Sequence, residues 1–110
     1  MPGLPLEIME QKAAEVASFL TAAANRNRLM VLCHLADAGE LSVNDLAGRL
    51  KLSQSALSQH LARMAEEKLI AARADGRHRY YALTPGPASD LLAVLQKHFC
   101  PPEAVDAAAE

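Results

Sequence analysis

"LKLSQSALSQHLARM", residues Leu50 to Met64, threads leucines at helical spacing through five hydroxyl or amide side chains: Ser53, Gln54, Ser55, Ser58 and Gln59. From Ser53 to Ala62 it holds no Lys, Arg, Asp or Glu. On a helix, Leu57, Leu61 and Met64 share one face, leaving Gln54, Ser55, Ser58, Gln59 and Arg63 on the other. A face that met only solvent would more often carry Lys and Glu. Base edges in the major groove of DNA present donors and acceptors at short range; Gln can address adenine bidentately and Ser can address either kind of group. Short uncharged groups let a helix sit deep in the groove while arginines elsewhere hold phosphates. The stretch reads as a DNA-recognition helix.

The flanking sequence supplies the rest of the unit. "SVND", Ser42 to Asp45, is a capping arrangement that starts a short helix from Val43 to about Leu50. Lys51 and Leu52 make a tight turn, and Ser53 caps the recognition helix, which the spacing extends to about Lys68. In "LIAARADGRHRYYAL", residues 69–83, the period changes. Asp75-Gly76 is a hairpin signal, and Tyr80 and Tyr81 favour strand. Arg73, Arg77, His78 and Arg79 put cations on that ribbon, which suits phosphates or the minor groove. Two short helices, a tight turn and a two-stranded wing predict a winged helix–turn–helix, mainly α with a β-hairpin. His60, beside Leu61, fits a packed histidine as well as a phosphate contact.

Outside this unit the periodicity predicts three more helices. The first runs from roughly Glu7 to Ala23 on Met9, Ala13, Val16 and Leu20. The second runs from about Asn25 to Ala38 on Leu29, Leu32, Cys33 and Ala36, with Gly39 at its C-terminus. The last follows "TPGP", with Thr84 as expected N-cap, and carries Leu91, Leu92, Leu95 and Phe99. It should end at Cys100, because Pro101-Pro102 follows. Residues 1–6 are then a flexible N-terminus, 7–100 one domain, and 101–110 a tail. A monomer would expose Met9, Val16, Leu92, Leu95 and Phe99, a patch that marks an interface, so a homodimer is expected. Two-fold symmetry would set two recognition helices into successive major grooves of double-stranded operator DNA.

The charge distribution agrees. Residues 49–79 hold seven basic side chains and three acidic ones, a local balance of +4 within a whole chain of −2. One basic surface on an acidic body suits a polyanion partner. At 110 residues and 51% hydrophobic, the chain fits one folded domain. The N-terminus lacks a basic flank and apolar core, so no signal peptide is expected. No run approaches the roughly 18 apolar residues of a membrane helix. A cytoplasmic protein without membrane partners is expected, its two cysteines resting as thiols. No phosphate loop, catalytic triad or cofactor motif is visible, so neither an enzyme nor a cofactor is expected. A winged helix can also be a protein-interaction module; the basic segment and the short-polar helix favour DNA.

"NRNRLMVLCHLADAGELSVNDLAGRL" and "LSQSALSQHLARMAEEKLIAARADGRHRYYAL" together resemble the ArsR/SmtB family of bacterial repressors, from about Ala13 to Cys100. The resemblance implies a homodimer, paired through its first and last helices, that releases DNA when an inducer binds. Thiolate metal sensors of that family carry a form like "ELCVCDL" at the start of the third helix. Here the stretch is "ELSVNDL", with Ser42 and Asn44 at the two cysteine positions, neither a soft ligand. Zinc and nickel members place Asp-x-His and paired histidines on the last helix. Here Asp90 is followed by Leu91 and Leu92, and only His98 lies further along, a poor four-ligand site. No metal site is expected. Cys33 in "LMVLCHL" and Cys100 in "KHFCPP" resemble the dithiol branch of the family, whose repressors respond to sulfide and persulfide. That resemblance implies a redox switch in which reactive sulfur species link Cys33 to Cys100. A general oxidation sensor making a simple disulfide, or a metal-sensing repressor, are the alternatives within the family.

Overall fold

A computed structural model describes residues 3–100. The tail 101–110 lies outside the described residues. The element order is α1 (Leu6–Ala23), α2 (Arg26–Ala38), β1 (Leu41–Ser42), α3 (Val43–Leu50), α4 (Gln54–Glu66), β2 (Ile70–Asp75), β3 (His78–Leu83) and α5 (Pro87–Phe99). This is the winged helix–turn–helix order, with one strand that the sequence did not suggest. β1 pairs antiparallel with β3, so the sheet is three-stranded in the order β1-β3-β2. Two residues are too short for a period-2 signal to show.

The helix ends follow from local chemistry. The Asn25 side chain accepts from the N–H groups of Asn27 and Arg28 at the start of α2. Gly39, at φ 86°, closes that helix. At α3 the Ser42 hydroxyl accepts from the Asp45 N–H at 3.0 Å, while the Asp45 carboxylate accepts from the Ser42 N–H at 3.4 Å. This is the reciprocal capping box. Ser53 caps α4 through the Ala56 N–H at 3.1 Å.

Both helices of the helix–turn–helix, α3 and α4, end on a left-handed lysine. Lys51 has φ 56° and Lys68 φ 62°. After each, the next residue folds back on the helix: Leu52 N–H donates to Ala47 O, and Leu69 N–H to Met64 O. This is the Schellman pattern, with buried Leu69 and Met64 at the positions that motif brings into apolar contact. It stops α4 at Glu66, two residues before the expected end, because the chain must reverse into β2. Thr84 does not cap α5. Gly86 holds that position at φ 107°, Pro87 is the first helical residue, and the Ser89 hydroxyl donates back to Thr84 O at 3.4 Å.

The core joins Val31, Leu32 and Leu35 of α2 to Leu46, Leu57, Leu61, Met64, Ile70 and Tyr81. The outer helices are less covered. α1 buries only Ala22 and Ala23, while its Met9, Val16 and Leu20 are 41%, 38% and 47% exposed. On α5 the expected exposed set needs correction. Leu92 is buried and Leu95 half-buried because that edge of the helix faces α2; Val94 and Phe99 are the exposed apolar residues.

Candidate DNA interface and cysteine site

The two faces of α4 separate as the spacing predicts. Leu57, Leu61 and Met64 are buried, whereas Gln54, Ser55, Ser58 and Gln59 are exposed together on the opposite side. His60 is half-buried. Gln54 is not free: its Nε2 donates to Oδ1 of Asn44, on α3. Asn44 therefore belongs to the same polar surface, a placement that the α4 sequence could not reveal. Arg49, also on α3, brings Nη1 to 3.4 Å from Nδ1 of His34 on α2.

Arg63 is paired within the chain. It lies half-exposed at the far end of α4 and turns to acidic neighbours, with Nη1 3.1 Å from Glu67 and 3.9 Å from Glu66. The Ser18 hydroxyl of α1 donates to that same Glu67 carboxylate at 2.5 Å. This network ties the end of α4 to α1. Spacing of i+3 and i+4 brings such pairs together on any helix, so the signal lay in "RMAEE".

The wing carries two kinds of cation. Opposed residues of antiparallel strands share a face. The register pairs Arg73 with Tyr80 and Ala74 with Arg79, so Arg73 and Arg79 leave opposite faces of the ribbon. Arg73 is held on its face. Its Nε and Nη2 donate to both oxygens of Glu40 at 2.8 and 2.7 Å, and the guanidinium carbon lies 4.7 Å from the centre of the Tyr80 ring. Asp75 is 3.9 Å away. The hydrogen bonds with Arg73 hold the Glu40 carboxyl below its usual pKa and raise that of the guanidinium. Arg77, at the turn, and Arg79 are exposed, and among the described residues neither has a carboxylate within ion-pair distance.

The two cysteines line a cavity elsewhere in the fold. A cavity of about 740 Å³ opens between α2 and α5, lined by Leu29, Cys33, Ala36 and Asp37 on one side and Leu92, Leu95, Gln96, Phe99 and Cys100 on the other. Both thiols are free. Cys33 is exposed as a residue, yet the cavity walls desolvate its sulfur enough to push its pKa up, and charge on Cys100 acts in the same direction. The fold thus brings to one cavity two thiols that 67 positions separate in sequence. Among the described residues no group of three or more His, Cys, Asp or Glu comes together as a metal site requires. No described helix is long and apolar enough to cross a membrane.

Known regulatory proteins share this sequence and fold. The sequence profile described as bacterial regulatory protein, arsR family, matches residues 25–72, which run from the α2 cap into β2. The transcriptional activator HlyU of Vibrio cholerae is 38% identical over 102 residues, covering 91% of this chain and 94% of that protein. Its structure in the reduced form superposes with a TM-score of 0.78 at 39% identity, over 86% of this chain and 98% of that one. The biofilm growth-associated repressor of Agrobacterium fabrum is 38% identical over 100 residues, covering 91% and 85% of the two chains. A homodimeric winged helix–turn–helix DNA-binding domain from Mycobacterium bovis, 27% identical, has a TM-score of 0.74 over 87% of each chain. A winged helix–turn–helix fold and 38% identity to two of these regulators over 91% of the chain lead to one conclusion: the chain belongs to the ArsR family of bacterial regulatory proteins.

Proposed function

We propose that the protein is a transcriptional repressor that binds operator DNA as a homodimer while reduced, and leaves it when reactive sulfur links Cys33 to Cys100 within one subunit. The observation that carries this reading is the pair of thiols on facing walls of one cavity. α2 packs behind the DNA-reading helices α3 and α4, and α5 has an apolar edge open to a second subunit. A covalent link between α2 and α5 therefore connects the helix behind the reading unit to a helix at the expected interface. Changing the angle between them changes the spacing of the two recognition helices, which must match successive major grooves.

The chemistry closes in two displacements. The Cys100 thiolate attacks an inner sulfur of a hydrogen polysulfide chain, forms one S–S bond and expels a shorter hydropolysulfide. The thiolate of Cys33, its proton lost to solvent, attacks the sulfur next to Cys100, expels hydrosulfide and leaves a trisulfide. Two electrons leave the cysteine pair with the reduced sulfur products. A direct disulfide needs alpha carbons within roughly 7 Å, whereas an inserted sulfur spans more, so the bridge should form with polysulfide in preference to peroxide.

Intact mass and DNA affinity measured after each oxidant test this. The expected result is a bridge one sulfur heavier than a disulfide, loss of DNA binding with polysulfide, and a poor response to peroxide. A Cys33→Ser, Cys100→Ser protein that still releases DNA with polysulfide would overturn the switch. Equal response to peroxide through a simple disulfide would make the protein a general oxidation sensor.

A further inference from the structure

The wing's cations divide into held and free, and the held one is gripped by a residue outside the wing. Glu40 precedes β1, the strand that leads directly into the Ser42 cap of α3. Register places Ser42, Tyr80 and Arg73 in one row across the three strands. Glu40 lies two residues before Ser42, so its carboxylate reaches diagonally over β3 to take the Arg73 guanidinium through two hydrogen bonds, while the Tyr80 ring supports the cation. β1 contributes only two residues of pairing, and this side-chain clasp adds a direct link between the outer strand of the wing and the segment that starts the helix–turn–helix.

A carboxylate and a phosphate present the same two-oxygen edge to a guanidinium fork. Glu40 therefore occupies the Nε–Nη2 edge of Arg73, which a DNA phosphate could otherwise engage side-on, and Asp75 stands 3.9 Å from Nη1. From this geometry we infer that Glu40 is a positioning and specificity-determining residue for DNA binding. It fixes the wing relative to α3 and α4, and it withholds Arg73 from the phosphate backbone, leaving Arg77 and Arg79 as the wing's phosphate contacts. Cations that neutralise phosphate strengthen binding to every sequence alike. Keeping one cation occupied lowers that indiscriminate part and leaves base reading on α4 to decide the site. The inference rests on the DNA-binding reading of α4 and the wing.

The test uses the full chain and two labelled 30-bp duplexes: one selected from a random-sequence pool by the wild-type protein, one unselected. Affinities are measured against salt concentration. Glu40→Gln should bind the unselected duplex more tightly, with a salt slope steeper by roughly one phosphate's worth, about 0.9. Its preference for the selected duplex should fall several-fold. Arg73→Gln should leave both slopes unchanged and weaken only the selected duplex. The charge-swapped protein, Glu40→Arg with Arg73→Glu, should recover part of the lost preference, a rescue that a misfolded variant cannot give. If Arg73→Gln in the wild-type background flattens the slope by about 0.9, Arg73 contacts phosphate and the clasp is displaced in the complex, which overturns the inference. Unchanged behaviour of Glu40→Gln overturns it as well. Failure of the wild-type protein to select any duplex would instead sink the DNA-binding reading.

Discussion

The Gln54 amide donates through Nε2 to Oδ1 of Asn44, joining the first residue of α4 to the second residue of α3. The bond leaves Oε1 of Gln54 as an acceptor and Nδ2 of Asn44 as a donor on the same exposed surface. A donor and an acceptor held side by side are what an adenine edge requires. Asn44→Ala should weaken binding to a selected duplex by about 1 kcal/mol, the scale of one lost hydrogen bond. Gln54→Ala should cost roughly 1–3 kcal/mol and relax sequence preference at one position. A double-mutant cycle on the two residues tests the link; strictly additive effects would show that Asn44 does not orient Gln54.

The free wing cations predict a different signature. Arg77→Ala with Arg79→Ala should reduce affinity for selected and unselected duplexes by a similar factor. The salt slope should become shallower by roughly 1.8, about 0.9 for each lost phosphate contact. Loss confined to the selected duplex would mean that the wing reads bases rather than backbone.

Most of the fold is legible in the sequence because its boundaries are written in short-range chemistry. Ser42 with Asp45, Ser53, Gly39 and Asp75-Gly76 each act within a few residues, and each marks an element end in the structure. The face of α4 is legible because its apolar and polar positions keep helical phase. What stays hidden is contact between distant segments. The Glu40–Arg73 pair spans 33 positions and depends on β1, which is too short to announce itself. Ser18 meets Glu67 across 49 positions. Thr84 looked like a cap because its side chain suits one, but Gly86 holds the cap position of α5.

The left-handed lysines give a test of the local backbone. Lys68 closes α4 at φ 62°, a region that costs an L-residue roughly 1–2 kcal/mol. Glycine adopts it freely but loses more chain entropy on folding, about 0.5–1 kcal/mol. Lys68→Gly should therefore stabilise the protein by about 0.5–1 kcal/mol, a rise in Tm of a few degrees for a domain this size. A fall in Tm would mean that the lysine side chain contributes more there than the backbone strain it carries.

Subunit pairing is tested on the uncovered edges of α1 and α5. Val16, Leu20 and Val94 border a second cavity, of about 890 Å³, between those helices. Exposed apolar side chains gathered on two terminal helices mark an interface. Val16→Glu with Leu20→Glu should give a folded monomer in sedimentation at micromolar concentration. Such a monomer should lose most of its affinity for a two-half-site duplex, because each recognition helix then binds alone. A wild-type protein that sediments as a monomer would remove the symmetric arrangement altogether.

The final prediction concerns the order in which the thiols react. Cavity desolvation, and secondarily charge on Cys100, push the pKa of Cys33 above its usual value near 9.0. Only the thiolate is nucleophilic, so at neutral pH Cys33 is the poorer attacker and the natural resolving partner. Iodoacetamide followed by peptide mass analysis should label Cys100 first. The labelling rate of Cys33 should climb with pH into the alkaline range. Replacing Cys100 with Ser removes its charge and should speed Cys33 labelling at a given pH. The same shift acts on stability, with a definite sign. The folded protein holds the Cys33 proton more tightly than the unfolded chain does. The resulting stabilisation is fully present below the unfolded value and is lost as pH rises through the folded one. Cys33→Ser should remove that alkaline loss. Faster labelling of Cys33 than of Cys100 at neutral pH would reverse the roles of attacking and resolving thiol.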